Sequence, residues 1–235
     1  RDCLLSRGLG DVYKRQTLRY SAGEVVDTIT TGEDGTAQSQ PLYLGRFQVK
    51  EIEFPHGMAD TGENTTEVEL VYAGQEVEIT ETSASFYNQR QKVLVTLNKV
   101  LEQDETFGIG MNGEITAVTF GLYAQEDITA ADGPIIPADG LLEIVSVDEN
   151  GQAMCKTDLP FGSYYVKERT TNGAYILSDQ EYPVVFEYAG QETALVQILV
   201  NEGEAVSNEL LRGRVDGVKA VSYTHLRAHE TRGNL

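Results

Sequence analysis

The chain has 235 residues, a formal net charge of −19 and no tryptophan. So acidic a chain is excluded as a binder of nucleic acid or of an anionic membrane surface, and three histidines and two cysteines leave little for metal or thiol chemistry. No apolar run is long enough to span a bilayer, and neither a metal nor a cofactor is expected.

In chain order, the first segment reads as foreign. SRGLGDVYKRQ at 6–16 resembles a translated sequencing adapter, and VSYTHLRAHET at 221–231 reads as its reverse complement in another frame. Residues 1–16 and 220–235 are therefore set aside as adapter-like flanks. The natural fragment is then 17–219. Both flanks carry net positive charge, so the remainder is more acidic still. They also hold Cys3, His225 and His229. Cys155 alone remains, which excludes an internal disulfide and reads as a packed thiol.

Strand signals dominate the rest. KVLVTLNKV at 92–100, TAVTFGLYA at 116–124, LLEIVSV at 141–147, SYYVKE at 163–168, PVVFEY at 183–188 and ALVQILV at 194–200 alternate apolar and polar residues. Turn clusters such as GEDGT, DENGQ and TTNGA separate them. The DENG and EDG turns lack the twelve-position calcium-loop pattern and read as hairpin turns. No stretch carries a long 3.6-residue period. The fold class expected is all-β, an antiparallel Greek-key sandwich of immunoglobulin-like architecture. Ala124–Asp139 reads as a long loop.

The chain also repeats itself. LYLGRFQVKE at 42–51 returns as LPFGSYYVKE at 159–168, and YAGQE at 72–76 returns unchanged at 188–192. The offsets, 117 and 116 residues, are those of a whole domain rather than a solenoid unit. The expected organisation is a domain at 17–90 truncated at its N-terminus, a complete domain at 91–212, and the first strand of a third repeat at 213–219.

Alternation places three polar side chains on core faces. Lys99 shares a face with Val93, Val95, Leu97 and Leu101. Glu168 shares one with Tyr164 and Val166. Asn208 shares one with Val206 and Leu210. The first copy has Glu51 after Phe47 and Val49, and Asn88 after Phe86. Asn88 precedes Lys99 by 11 residues, and Asn208 precedes Lys219 by 11. Each Asn thus closes one unit and each Lys opens the next. The lysine of the first unit would lie upstream of residue 1, and Lys14, in the flank, is no substitute. A lone buried charge is costly, so these groups must be paired or neutral.

With TLNK at 96–99, FGLY at 120–123, YYVKE at 164–168 and VSNELL at 206–211 in order, the chain resembles the Cna-B or SpaA-type prealbumin-like domains of Gram-positive surface adhesins and pilins. The resemblance implies an internal isopeptide bond, with Lys99 as nucleophile, Asn208 as acceptor and Glu168 as proton shuttle. In the first unit it assigns Glu51 and Asn88 without a lysine, and it makes Lys219 the lysine of a third. It further implies an extracellular, cell-wall-attached protein whose partners are neighbouring repeats of the same chain, with a host surface or matrix protein or a glycan as a further partner.

The chemistry would run once per domain. Neutral Lys99 would attack the Asn208 carboxamide, while Glu168 polarises the amide and relays a proton to the leaving ammonia. Fixed proximity would supply most of the acceleration. Two alternatives stand beside it: a plain buried ion pair of Lys99 and Glu168 with Asn208 as a neighbour, and Asn201 as a rival acceptor. Asn98, next to Lys99, points outward. Function is correspondingly open between a crosslinked stalk module and a binding module that recognises a host protein or glycan through its loops. Nothing points to an enzyme acting on an external substrate.

Overall fold

The computed structural model describes residues 2–7, 20–129 and 136–219. The flank 220–235, Lys14 and the middle of the loop expected at Ala124–Asp139 lie outside the described residues. Strands in the N-terminal part are β1 (Asp2–Arg7), β2 (Val25–Ile29), β3 (Gly45–Glu51), β4 (Met58–Ala59), β5 (Thr65–Leu70) and β6 (Gln89–Arg90). Those in the C-terminal part are β7 (Lys92–Leu101), β8 (Thr119–Ala124), β9 (Leu141–Ser146), β10 (Gln152–Cys155), β11 (Gly162–Thr170), β12 (Glu181–Phe186), β13 (Leu195–Leu199) and β14 (Val206–Asn208). Among the described residues, helix is confined to short 3-10 turns at Glu114–Ala117 and Val200–Gly203.

The internal repeat is also a repeat of topology. One sheet runs β2-β1-β3-β5 and another runs β9-β8-β11-β12, the same order and the same antiparallel pairings. Glu51 faces Asp2 across β3 and β1, as Glu168 faces Phe120 across β11 and β8. Asp2–Arg7, set aside above as part of a flank, thus occupies the place that β8 holds in the second copy. Strand pairing is main-chain chemistry that any proline-free segment can supply, and it closes the edges that β2 and β3 would otherwise expose.

The C-terminal part completes a sandwich with a second sheet, β10-β7-β13, in which β14 also pairs with β7. Here the fold departs from strict antiparallel order. β10 runs antiparallel to β7, but β13 and β14 both run parallel to it. One ten-residue strand serves two partners in turn: Leu195–Leu199 along its first half, Val206–Asn208 along its second. Between them the chain kinks at Asn201 and Glu202, both left-handed at φ 56° and 54°. That conformation is costly for non-glycine residues. Asn201 Nδ2 donates to Glu204 O at 3.2 Å and Asn98 Nδ2 to Gly203 O at 3.3 Å, which fixes the kink.

Alternation holds through the sandwich. Val95 and Leu97 of β7, Phe120 and Leu122 of β8, Tyr164 and Val166 of β11, and Val184 and Phe186 of β12 form one core. Cys155 is buried in it, and burial, with the nearby Glu143 charge, pushes its thiol up to about 12, so it stays un-ionised at neutral pH. The N-terminal part is packed more thinly: among the described residues its buried cluster is Phe47 and Val49, with partly buried Tyr20, Val26, Val68 and Phe86 against them. Residues 71–88, counterparts of β13 and β14, form no strand, and Val71, Val77 and Ile79 are exposed. Both counterparts need a β7 to pair with, and among the described residues the N-terminal part has none.

The turn between β9 and β10 is tied to the lysine strand. Lys99 N donates to Gly151 O at 2.6 Å, and Gly151 has φ 79°. A Cβ there would stand 2.3 Å from the Lys99 carbonyl oxygen. Gly151→Ala is expected to lower stability by about 2–4 kcal/mol through backbone strain and overlap. Gly173→Ala, which meets nothing within 4 Å, is expected to change it by less than about 0.5 kcal/mol. Urea denaturation of the two variants checks the difference.

Candidate functional site

Lys99, Glu168 and Asn208 meet inside the sandwich. They come from β7, β11 and β14, so the site joins the two sheets. All three are buried, and the Lys99 and Glu168 side chains have no exposure. Parallel pairing explains the meeting. Val206 is the register partner of Lys99, and Asn208 lies two residues further along the same face. The long lysine side chain covers that offset.

Lys99 Nζ contacts Asn208 Oδ1 and lies 3.7 Å from Glu168 Oε1. The Phe120 ring sits 5.9 Å from the ammonium. Asn208 Nδ2 donates to Glu168 Oε1 at 2.9 Å and Oε2 at 3.0 Å, to Thr171 Oγ1 at 3.2 Å and to Ile176 O at 2.9 Å. Glu168 Oε2 also accepts from Ser178 N at 2.9 Å. An amide nitrogen with two hydrogens thus faces four acceptor atoms. Burial pushes the Lys99 ammonium below the ordinary lysine range, and the Glu168 carboxylate opposes that shift.

The first copy keeps what it can. Asn88 Nδ2 donates to Glu51 Oε1 at 2.8 Å, with Glu51 buried, so the Asn–Glu half of the arrangement recurs without a lysine. Lys219 is exposed and lies in no strand. Asn201, the rival acceptor, is exposed in the kink and is not brought to Lys99.

Sequence reasoning missed the surroundings. Thr171, the Ile176 carbonyl and the Ser178 amide lie in the loop after β11, where no periodicity marks them. It also missed a clamp just past Asn208. Glu102 N donates to Asn208 O at 3.0 Å, and the Glu102 carboxylate accepts from Leu210 N at 2.8 Å and from both terminal nitrogens of Arg212 at 2.5 and 3.0 Å. Tyr175 Oη donates to Glu102 O at 2.9 Å. The clamp holds the end of β14 against the end of β7.

These features define the C-terminal part as an all-β sandwich whose first and last strands, β7 and β14, meet in a buried polar cluster. Residues 12–84 match the family model described as SpaA, prealbumin-like fold domain, so the resemblance to SpaA-type prealbumin-like domains is shown on the N-terminal part. Among curated proteins none matches. Of solved structures, the Bacillus anthracis TIE protein is similar at 19% identity and TM-score 0.47, over 78% of this chain and 28% of that one. GBS52, the minor pilin of Streptococcus agalactiae, is similar at 15% identity and TM-score 0.34, over 93% and 85%. The major pilin SpaD of Corynebacterium diphtheriae is similar at 18% identity and TM-score 0.31, over 51% and 32%.

The clamp makes a pH-dependent contribution. Hydrogen bonding to Arg212, then to the Leu210 amide, holds the Glu102 carboxyl down to about 2 from an ordinary 4.5. Its stabilisation is therefore fully present above 4.5 and lost as pH falls through about 2. Glu102→Gln is expected to lower stability at neutral pH and to flatten the fall between those two values, as urea midpoints across that range would report.

Proposed function

We propose that the chain is a fragment of a cell-surface stalk, of adhesin or pilin type, whose complete domain at 91–212 crosslinks itself through a Lys99–Asn208 isopeptide bond. The observation that carries this reading is the surroundings of Asn208 Nδ2. Four acceptor atoms around a two-hydrogen nitrogen suit the species that leaves, ammonia, better than the amide itself.

The step balances. Neutral Lys99 Nζ forms a bond to Asn208 Cγ, and the Cγ–Nδ2 bond breaks. One Nζ proton passes through the Glu168 carboxylate to Nδ2, which departs as ammonia. Thr171 Oγ1 and Ile176 O hold the departing nitrogen. Burial shifts Lys99 towards the neutral amine that the step needs, and the fixed β7–β14 register supplies proximity. Glu51 and Asn88 belong to the same arrangement in the truncated domain 17–90, and Lys219 opens the third repeat at 213–219.

The mechanical consequence follows from strand order. Tension entering at Gln91 runs along β7 to Lys99, crosses to Asn208 and leaves at Glu209. Residues 100–207 then lie outside the loaded path. Such a module serves on a Gram-positive cell wall, in series with neighbouring repeats. By analogy with disulfide loop closure, a bond spanning 99–208 stabilises by about 4–5 kcal/mol.

Intact mass tests the proposal. The full chain is expected to weigh one ammonia less than calculated, and the Lys99→Ala and Glu168→Ala variants to show the full mass. A full mass for the parent chain overturns the crosslink.

A second readout uses pH. A free Lys99, titrating below its ordinary 10.5, would make the folded chain more stable as pH rises towards that value, because the unfolded chain there binds more protons. The crosslinked chain is expected to lack this rise, and urea denaturation between neutral and alkaline pH detects it.

A further inference from the structure

The two YAGQE copies sit in different surroundings. The second, Tyr188–Glu192, lies against residues 52–60 of the N-terminal part. Tyr188 Oη donates to Met58 O at 3.3 Å, and its ring stands 4.6 Å from His56. Asp60 N donates to Gln191 O at 2.7 Å. The Gln191 amide accepts from Phe54 N at 3.3 Å and donates to Ile52 O at 3.4 Å. Gln91, with no exposure, fastens the turn from the linker. Its side chain donates to Gly190 O and Thr193 O and accepts from Ala189 N, while its own N donates to Gly57 O. The hydrogen bonds to residues 52–60 all fall on backbone atoms, so the clasp does not depend on side-chain identity there.

The first copy, Tyr72–Glu76, has no such seat among the described residues: Tyr72 is 67% exposed, and Gln75 and Glu76 are exposed. A second seat nevertheless exists. The β4–β6 pair Met58↔Arg90 recurs as Tyr175↔Leu210, and the bond from Gln91 N to Gly57 O recurs from Leu211 N to Ala174 O. Residues 169–177 therefore stand where 52–60 stand, and Leu211 stands where Gln91 does. At the first junction Ala59 and Gln91 are 2% and 0% exposed; at the second, their counterparts Ile176 and Leu211 are 48% and 60% exposed, and Leu177 is 50% exposed.

We propose that residues 169–177 and the Leu211 position form the docking surface for the YAGQE turn of a following repeat of the same kind, and that Tyr72–Glu76 is the matching half for a preceding one. The occupant is argued from the junction already present. The same turn sits on the equivalent backbone, and the apolar side chains left open are those that a seated repeat covers.

The test extends the full chain by inserting a second copy of residues 91–210 between Leu210 and Leu211, so that the inserted Gln91 falls in the original register. Hydrogen exchange is read at the Thr171 and Leu177 amides, the counterparts of the Phe54 and Asp60 donors. Exchange is expected to slow at least about tenfold, and Tyr188→Ala with Gln191→Ala in the inserted copy alone is expected to restore it. Unchanged exchange, with the inserted β7 and β11 amides protected, overturns the proposal. A second measurement needs no insertion. As the concentration of the unaltered chain is raised, amide shifts are expected at 72–76 and 169–177 together, and Tyr72→Ala is expected to abolish them. Should the inserted copy not fold, the absence of those shifts overturns the proposal.

Discussion

A lysine on the core face of β7 governs the structure around it. An ammonium without water in an apolar core would cost several kcal/mol, so the fold must either pair it or remove its charge. Lys99 meets Glu168 from the opposite sheet and Asn208 from the last strand, and it lies near the Phe120 ring. Each partner is itself held: Glu168 by the Ser178 amide, Asn208 by Thr171 and the Ile176 carbonyl. Among the described residues no buried side-chain polar atom is left without a partner. A cluster in which each buried polar atom has a partner is held in place, and the proposed reaction between two poor reactants would require that fixed geometry.

The same strand explains the contrast between the two parts of the chain. β7 carries β10 on one edge and β13 followed by β14 on the other. With it in place, the core gains Val95, Leu97, Val200 and Val206 and closes between two sheets. The N-terminal part shows the sheet β2-β1-β3-β5 with nothing of β7's kind across from it among the described residues. Residues 71–88 then have no ladder to join, and Val71, Val77 and Ile79 remain in water. The Glu51–Asn88 hydrogen bond survives there because it needs only a sheet strand and the approach to β6.

Legibility in the sequence followed periodicity. Strict alternation in VLVTLNKVL, YYVKE and VSNEL was enough to put Lys99, Glu168 and Asn208 on interior faces, and the internal repeat marked Glu51 and Asn88 as counterparts of Glu168 and Asn208. What alternation could not give was direction and surroundings. The parallel pairing of β13 and β14 with β7 depends on two consecutive left-handed residues, Asn201 and Glu202, and the type of Glu202 does not announce that conformation. Thr171, Ile176 and Ser178 act through a loop, partly by backbone atoms, which side-chain patterns do not encode. Glu102 and Arg212 are ordinary surface charges until β14 brings them together. Asp2–Arg7 entered the sheet through backbone pairing, on which its sequence origin has no bearing.

Junction and cluster lie on one line of force. Tension passing between the two parts must cross Gln91, which is bonded on one side to Gly57 and on the other to the 189–193 turn. The turn follows β12, whose neighbour β11 carries Glu168. A pull on the linker is thus shared between β7, through the next residue Lys92, and the sheet that holds the opposite wall of the site. Hydrogen bonds of this kind are each worth about 0.5–1.5 kcal/mol and break one at a time. The proposed covalent β7–β14 link would not. On that proposal the yielding contacts lie between the two parts and the unyielding one within the sandwich, so that under load the junction would bend before the sandwich opens.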